Sequence, residues 1–241
     1  MEQPKKILVI EDNVELYKGF KDIINDLNID SFFSFASSEG SRALGDVECI
    51  DLKDNDYVNS IIDNYDLVIS LHARQVFPDK LVKGIRCVNI HPGYNPNNRG
   101  WFPHVFSIIN GLPMGVTIHE MDESIDHGPI VVQEKLVANS WDDSSAIYKR
   151  LIKMELKLIK ENIVKIIEHD YTAKIPETEG NLNFKSDFEK LCKIDLNEKD
   201  SFENLANRLR ALTHEDYKNA YFIDKTSNKK VYVKISFAPE E

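Results

Sequence analysis

The sequence predicts an α/β fold with a largely parallel sheet flanked by helices, followed by a small C-terminal α+β region. Short apolar runs alternate with segments of helical periodicity over the first two thirds of the chain, as in parallel sheets whose strands are connected by helices. This periodicity changes after Tyr171, where a polar connector begins. The composition, with 42% hydrophobic and 29% charged residues, is that of an ordinary globular protein.

The first predicted strand is the run from Ile7 to Ile10, which is short, apolar and stopped by polar residues. Such runs are typical of strands buried on both faces. Asp12 or Asn13 is expected to cap a following helix. The apolar residues of that helix recur at helical spacing and are Leu16, Phe20, Ile23, Ile24 and Leu27.

A second strand is predicted near residues 31–35 and a helix near residues 57–65. Two further apolar runs, residues 67–71 and 86–91, have the length and composition of buried strands. The second of them is stopped by Pro92-Gly93. These elements continue the alternation that predicts a parallel sheet.

Residues 115–121 and 130–136 are rich in β-forming residues and are separated by a turn-like segment, so they are expected to pair as a hairpin. A long helix is predicted next, capped by Ser144 or Ser145 and ending near Glu168. Its apolar residues follow helical spacing and include Ile147, Leu151, Met154, Leu158 and Ile166.

The chain is therefore divided into residues 1–175, the main domain, and residues 176–241, a C-terminal region. In the latter, apolar residues at 202, 205, 209 and 212 predict a helix, and residues 220–223 are expected to pair with residues 230–235. A helix and a hairpin are short for an independent core. We therefore expect this region to pack against a second copy of the chain in a homodimer.

The formal charge of −10, from 30 basic and 40 acidic residues, argues against a broad surface for nucleic acid or an anionic membrane. Cys49, Cys87 and Cys192 are far apart and lack CxxC spacing, so we expect buried thiols and neither a disulfide framework nor a metal site. The chain has no 18-residue apolar run and no signal-peptide core, which predicts a cytoplasmic protein without a membrane partner.

Asn89 and His91 are the first candidates for catalysis. Side chains two residues apart on a strand share a face, so both should lie together at the carboxyl end of their strand, where open parallel sheets bind ligands. Acyl transfer needs a hydrogen-bond donor for a developing oxyanion and a group that removes a proton from the attacking amine. Asp126, in the turn of residues 124–129, is the candidate carboxylate that would orient the histidine.

Each of these residues also fits a structural role, as a hydrogen-bonded histidine, a cap or a turn residue. Spacing alone leaves catalysis and structure equally open. The combination of motifs, however, resembles the folate-dependent formyltransferase family over roughly residues 6–170. The motifs are Asn89-Ile90-His91-Pro92-Gly93, Pro96 with Arg99-Gly100, Gly115 through His119, and Met121-Asp122 through Asp126-His127-Gly128-Pro129-Ile130.

This resemblance implies a Rossmann-like sheet, N10-formyltetrahydrofolate as the formyl donor, no metal, and Asn89, His91 and Asp126 as the catalytic residues. It also implies that folate lies beside residues 72–78. The candidate folate contacts there are Arg74, Gln75, Val76 and Phe77, and each of them also fits a loop that packs against its own helix. Arg74 departs from the lysine of similar sequences, which changes the donor geometry but keeps the charge.

Comparison with the subgroups of the family narrows the choice of acceptor amine. Glycinamide ribonucleotide enzymes carry a glycine-rich phosphate loop where this chain has Glu11-Asp12-Asn13-Val14-Glu15, and acidic residues disfavour phosphate there. Methionyl-tRNA enzymes carry a longer basic C-terminal domain for tRNA. This chain, with 241 residues and a charge of −10, is too short and too acidic to match them. The segment from His91 to His104 instead resembles the sugar N-formyltransferases that act on dTDP-4-amino-4,6-dideoxyhexoses.

That resemblance implies a nucleotide sugar as acceptor and a role in surface polysaccharide (O-antigen) biosynthesis. Arg99 would bind pyrophosphate, and Trp101 or Tyr221 would stack on a base or cover the hexose. The expected acceptor contacts are Asn13, Tyr94, Asn95, Arg99, Trp101 and Tyr221. A different amine, a C3 or C4 position, and a binding module without catalysis remain alternatives at this point.

Overall fold

The computed structural model describes residues 3–38 and 47–240. Its strands are β1 Lys5–Glu11, β2 Ser31–Ser37, β3 Glu48–Cys49, β4 Leu67–Leu71, β5 Cys87–His91, β6 Arg99–Gly100, β7 Met114–Glu120, β8 Ile130–Leu136, β9 Leu182–Asn183, β10 Tyr221–Ile223 and β11 Lys230–Tyr232. Its helices are α1 Val14–Asp26, α2 Asn55–Asn64, α3 Asp79–Gly84, α4 Pro103–Asn110, α5 Ser144–Glu168, α6 Lys185–Cys192 and α7 Phe202–Leu212.

The central sheet has the strand order β3-β2-β1-β4-β5-β7-β8 within the described residues. Neighbouring strands from β3 to β5 are parallel, whereas β7 is antiparallel to β5 and β8 is antiparallel to β7. The predicted largely parallel α/β sheet and the predicted β7–β8 hairpin are therefore confirmed. The strand order reverses between β1 and β4, which opens a crevice beyond their carboxyl ends.

Each face of the sheet carries its own apolar core. One core contains Phe20 of α1 and Leu151 and Ile159 of α5, and the other contains Val58 of α2 and Leu81 of α3. The C-terminal region joins the first of these cores, because Ala211, Leu212 and Ala220 are buried in it. The predicted helix and hairpin of this region are present as α7 and as the antiparallel pair β10–β11.

Several local predictions are corrected by the structure. The cap of α5 is Asp143, whose side chain accepts from the Ala146 N–H at 2.8 Å, and not Ser144 or Ser145. Cys49 is exposed, although Cys87 and Cys192 are buried as expected. Asn13 does cap α1, since its side chain accepts from the N–H groups of Glu15 and Leu16. In the described part of the chain, no helix has both the length and the apolar character of a membrane span.

Candidate active site

Asn89 and His91 lie together at the carboxyl end of β5 and are almost fully buried. Asp126 reaches them from the loop between β7 and β8, where its backbone is left-handed with a φ of 47°. Two of its hydrogen bonds come from the segment after β5: the Asn95 carboxamide donates to its carbonyl at 2.8 Å, and the Gly100 N–H donates to its Oδ2 at 2.9 Å. The loop therefore aims the carboxylate at the end of β5.

Asn89 links this carboxylate to a fourth residue, His119 of β7, which stands opposite it in the sheet register. Its Nδ2 donates to Asp126 Oδ1 at 2.9 Å and lies 3.3 Å from His119 Nε2. The other ring nitrogen of His119 is 2.7 Å from the Glu120 carbonyl, which can only accept, so Nδ1 carries the proton and Nε2 accepts. The orientation of the Asn89 carboxamide follows from these bonds.

His91 combines an ionised neighbour with a nitrogen that has no partner. Its Nδ1 lies 3.5 Å from Asp126 Oδ2, and its buried Nε2 has no hydrogen-bond partner among the described residues. Burial lowers the pKa of His91 to about 4, against an opposing effect of the Asp126 charge. Burial also raises the pKa of Asp126, but the nearby His91 and His119 rings and the Gly100 N–H outweigh it and leave the pKa below its usual range.

Gly93 determines how closely the chain can approach this ring. A Cβ at position 93 would overlap Nε2 and Cδ2 of His91 and would come within 3.1 Å of Pro103 Cβ. The Pro92-Gly93 stop after β5 therefore leaves the space that the imidazole fills. The arrangement places a neutral imidazole with an available Nε2 beside a carboxylate, which is a proton-accepting site at neutral pH.

The four predicted folate residues differ in placement. The Gln75 side chain accepts from the Leu52 N–H at 2.8 Å and donates to the Ser38 carbonyl at 2.5 Å, so it fixes the loop after β4. Phe77 is buried in the core on the α2 side, whereas Val76 is 70% exposed and Arg74 is exposed. The segment thus presents an apolar and a cationic side chain on a fixed backbone.

Four of the predicted acceptor residues lie in the segment between β5 and α4. Asn95 is buried, and besides holding Asp126 it donates its N–H to Thr117 Oγ1 at 3.1 Å. Arg99 is buried one residue before the Gly100 N–H that binds Asp126. Tyr94 is half-buried, and Trp101 is 36% exposed beside Phe102.

The other two predicted acceptor residues lie apart from this segment. Asn13 caps α1, and its Nδ2 donates to the Tyr148 hydroxyl at 2.9 Å. Tyr221 lies in the C-terminal hairpin, with Lys230 Nζ 4.4 Å from its ring centroid and Tyr232 paired against it. Glu11, which the sequence suggested would present charge to the crevice, is instead the last residue of β1 and is fully buried.

Sequence reasoning missed a buried polar chain behind the crevice. His72 follows β4, and its Nε2 lies 2.8 Å from Oε1 of Glu155, a fully buried residue of α5. Its Nδ1 lies 3.3 Å from the Tyr148 hydroxyl that accepts from Asn13. The apolar periodicity of α5 gave no signal that Glu155 faces inward. In residues 3–38 and 47–240, no three His, Cys, Asp or Glu side chains are grouped so that they could hold a metal ion.

The fold is α/β, and the buried Asn89, His91 and Asp126 form an arrangement of the kind that suits transfer of an acyl group to a nucleophile. Comparison with known proteins narrows this class. Residues 52–163 match the family model described as formyl transferase, and residues 187–239 match the model described as the N-formyltransferase dimerization C-terminal domain.

The chain is 53% identical over 184 residues to dTDP-4-amino-4,6-dideoxyglucose formyltransferase from Mycobacterium tuberculosis, covering 76% of this chain and 78% of that protein. A 4-N formyltransferase from Francisella tularensis superimposes with a TM-score of 0.93 at 41% identity, covering 99% of this chain and 100% of that one. A formyltransferase from Anoxybacillus kamchatkensis, solved with UDP-4,6-dideoxy-4-formamido-L-AltNAc and tetrahydrofolate, has a TM-score of 0.62 at 25% identity and covers 77% and 88%. The chain belongs to the formyltransferase family.

Proposed function

We propose that this protein transfers a formyl group from N10-formyltetrahydrofolate to the 4-amino group of a dTDP-linked 4-amino-4,6-dideoxyhexose, in surface polysaccharide (O-antigen) biosynthesis. The mycobacterial relative, named for a dTDP-4-amino sugar, and the solved relative bound to tetrahydrofolate support the two substrates. The observation that carries the proposal is the buried, unpartnered His91 Nε2 beside the Asp126 carboxylate.

The segment after β4 suits a folate. Gln75 fixes its backbone, and the exposed Val76 offers an apolar surface to a flat ring. Phe77 supports the segment from the core, and Arg74 contributes positive charge for the acidic end of the donor. When bound there, N10-formyltetrahydrofolate supplies the formyl group.

Proton transfer is assigned to His91. The neutral ring accepts a proton from the acceptor amine at Nε2. The Asp126 carboxylate, 3.5 Å from Nδ1, stabilises the imidazolium that results. The protonated Nε2 then donates a hydrogen bond to the oxygen that becomes negative as the amine attacks. When the C–N10 bond of the donor breaks, the proton held by His91 passes to N10, which leaves as tetrahydrofolate and restores the neutral ring.

Asn89 has two roles in this proposal. Its shorter bond, 2.9 Å to Asp126, keeps the carboxylate in place. Its longer contact, 3.3 Å to His119 Nε2, is the weaker one, and an oxyanion would be a stronger acceptor for the same N–H. Asn89 is therefore assigned as the second oxyanion donor.

An assay by mass tests the function. The protein is incubated with 10-formyltetrahydrofolate and dTDP-4-amino-4,6-dideoxyglucose, and the sugar nucleotide is examined for the mass of one added formyl group. Asp126→Asn should lower kcat by about 10²- to 10⁴-fold with the circular dichroism spectrum unchanged, because the imidazolium loses its carboxylate.

Glu123→Gln is the matched control, since this exposed acid of the same loop contacts Lys83 and not the reaction centre. Its rate should equal that of the wild type. Absence of product with every dTDP-amino sugar would contradict the proposal. The remaining interpretations would then be formylation of a different amine or a binding module without catalysis. A near-normal rate of the Asp126→Asn protein would refute the assigned role.

The C-terminal region is proposed to hold two subunits together. The match of residues 187–239 to a dimerization domain supports a homodimer, with residues 1–175 as the catalytic domain and residues 176–241 as the dimer-forming region. Light scattering tests this assembly, and a strict monomer would contradict it. A cytoplasmic location, where folate and nucleotide sugars are available, completes the proposal.

A further inference from the structure

A carboxylate from the C-terminal region lies between two cationic side chains next to the reaction centre. Glu179 Oε2 is 3.8 Å from Arg99 Nη2 and 3.3 Å from His127 Nε2, and its Oε1 is 3.4 Å from the same ring nitrogen. One carboxylate thus contacts a guanidinium and an imidazole that belong to different loops.

Arg99 is a buried cation with few partners. Its side chain is 10% exposed, and its Nε has no hydrogen-bond partner among the described residues. Nη1 donates to the Ile125 carbonyl at 3.3 Å, and the contact with Glu179 is longer still. A buried charge is costly unless it is well paired, so the guanidinium is suited to a stronger anionic partner.

His127 is prepared to act as the second cation. Its Nδ1 lies 2.6 Å from Asp122 Oδ2, so that nitrogen carries a proton and Nε2 points to Glu179. The hydrogen bond to Asp122 raises the pKa of His127 against an opposing effect of burial, and the charge of Asp122 and the contact with Glu179 add to the rise. Its ring is one-third exposed, which leaves it open to a ligand.

Both cations are adjacent to the reacting groups. His127 directly follows Asp126, and Arg99 precedes the Gly100 N–H that binds the Asp126 carboxylate. Glu179 is brought here by a connecting strap, residues 179–183, that is hydrogen-bonded to the segment between β5 and α4. Asn181 accepts from the Asn98 N–H at 2.9 Å and from the Arg99 N–H at 2.9 Å.

Gly180 allows this close approach. It has a φ of +63°, and a Cβ there would overlap the Pro96 carbonyl. The strap backbone is therefore fixed, whereas the Glu179 side chain is 81% exposed. The carboxylate can leave the two cations by rotating into solvent while the backbone of the strap stays in place.

We propose that Arg99 and His127 form an oxyanion-binding site and that Glu179 occupies it until a substrate oxyanion displaces its carboxylate. The site rests on the proposed function for its ligands, which are the diphosphate of the acceptor and the glutamate carboxylates of the donor. The Glu179 carboxylate is exposed and its contact with Arg99 is 3.8 Å long, so displacement of this carboxylate costs little. A diphosphate brings more charge and can bind the guanidinium through two oxygens.

Binding measurements separate this site from the catalytic proposal. Isothermal titration gives the Kd of dTDP, of inorganic pyrophosphate and of 5-formyltetrahydrofolate for the wild type and four variants. Glu179→Gln removes the competing carboxylate, and Arg99→Met and His127→Gln remove the cations. Glu177→Gln is the matched control, because this exposed acid of the same connector loses the same charge two residues away.

Glu179→Gln should bind dTDP and pyrophosphate about two- to fivefold more tightly, as loss of one exposed charge competitor implies. Glu177→Gln should match the wild type, and both cation variants should bind more weakly, Arg99→Met by about tenfold or more. The same pattern with 5-formyltetrahydrofolate alone would support the site and identify the donor carboxylates as its ligand.

The proposal is overturned if Glu179→Gln and Glu177→Gln behave alike, or if Arg99→Met leaves the Kd of all three probes unchanged. A different outcome would contradict the proposed function without contradicting the oxyanion-binding site. If the wild type does not bind dTDP but pyrophosphate shows the expected pattern, the oxyanion site stands and the acceptor assignment is wrong.

Discussion

The ring of His91 packs directly against the backbone of Gly93, so the smallest residue controls the position of the proton acceptor. A methyl group at position 93 would overlap Nε2 itself, the atom assigned to take the proton from the amine. The ring is buried at the end of β5 and cannot rotate freely away from the overlap. Gly93→Ala should therefore lower kcat by about 10²-fold, since misplacement of a catalytic group by about 1 Å has that effect.

The measurement is kcat and KM for both substrates together with thermal unfolding. Because Gly93 has no positive φ, alanine introduces no backbone strain, and the melting temperature should change far less than the rate. A rate close to wild type would mean that the ring relaxes without loss, and that Nε2 is not the reacting atom.

At the residue scale, the sequence predicted what depends on local geometry. The two-residue period of a strand predicted that Asn89 and His91 share a face, and the structure has them side by side. His119 was not selected, because its contact with Asn89 depends on the register between β5 and β7. Asp126 was selected as a turn carboxylate, but a loop residue has no periodicity that would indicate where it points, so only the family resemblance implied a catalytic role for it.

At the scale of elements, a buried carboxyl–imidazole contact connects α5 to the end of β4. Glu155 is fully buried, and its Oε1 lies 2.8 Å from Nε2 of His72. Burial raises the pKa of this carboxyl, and the nearby imidazole opposes the rise. Removing one partner of such a pair leaves the other without compensation.

His72→Ala should lower the free energy of unfolding by about 3 kcal/mol, because Glu155 would then be buried without its imidazole. Glu155→Leu should restore part of this loss in the double variant, so the two changes should be non-additive by about 1–3 kcal/mol. Urea unfolding of the four proteins of the cycle measures the coupling.

The control cycle uses Lys160 and Asp26, which also connect α5 to another element but are exposed at 3.1 Å. Their coupling should be below about 1 kcal/mol. If the coupling between His72 and Glu155 were as small as that of the control pair, the buried pair would not hold α5 on the sheet.

Elements were predictable where a pattern repeats over several residues. The apolar runs predicted β1, β4 and β5, and the helical spacing predicted α5 to its last residue, Glu168. The two-residue strands β6 and β9 could not be predicted, because their pairing joins residues 99–100 to residues 182–183 across more than 80 positions. The cap of α5 was missed by one residue because Asp143, Ser144 and Ser145 all suit that position.

At the scale of the whole molecule, buried titratable groups make the folded state sensitive to pH in both directions. Burial lowers the pKa of His91 to about 4 and that of His104 to about 3, from an ordinary value of 6.5. The unfolded chain therefore binds more protons than the folded one between about pH 4 and 6.5. Stability falls as the pH is lowered through this range.

Glu11 has the opposite effect on the pH dependence of stability. Its carboxyl is fully buried at the end of β1, and neither oxygen has a hydrogen-bond partner among the described residues. Burial, with a smaller contribution from the Asp12 charge, raises its pKa from 4.5 to about 8. The folded state keeps a proton that the unfolded chain loses above pH 4.5, so this group makes stability fall as the pH rises from about 4.5 to 8.

Glu11→Gln replaces the protonated carboxyl with a neutral group of similar shape that does not titrate. The variant should match the wild type near pH 5 and become progressively more stable than it up to pH 8, because only wild-type Glu11 releases a proton on unfolding. Each pH unit in this range contributes up to about 1.4 kcal/mol. Urea unfolding at several pH values from 5 to 8.5 measures the difference. Glu168→Gln, at an exposed acid, should run parallel to the wild type. A constant offset between the Glu11→Gln and wild-type curves would mean that Glu11 does not titrate on unfolding, and that the loss of stability at high pH arises elsewhere.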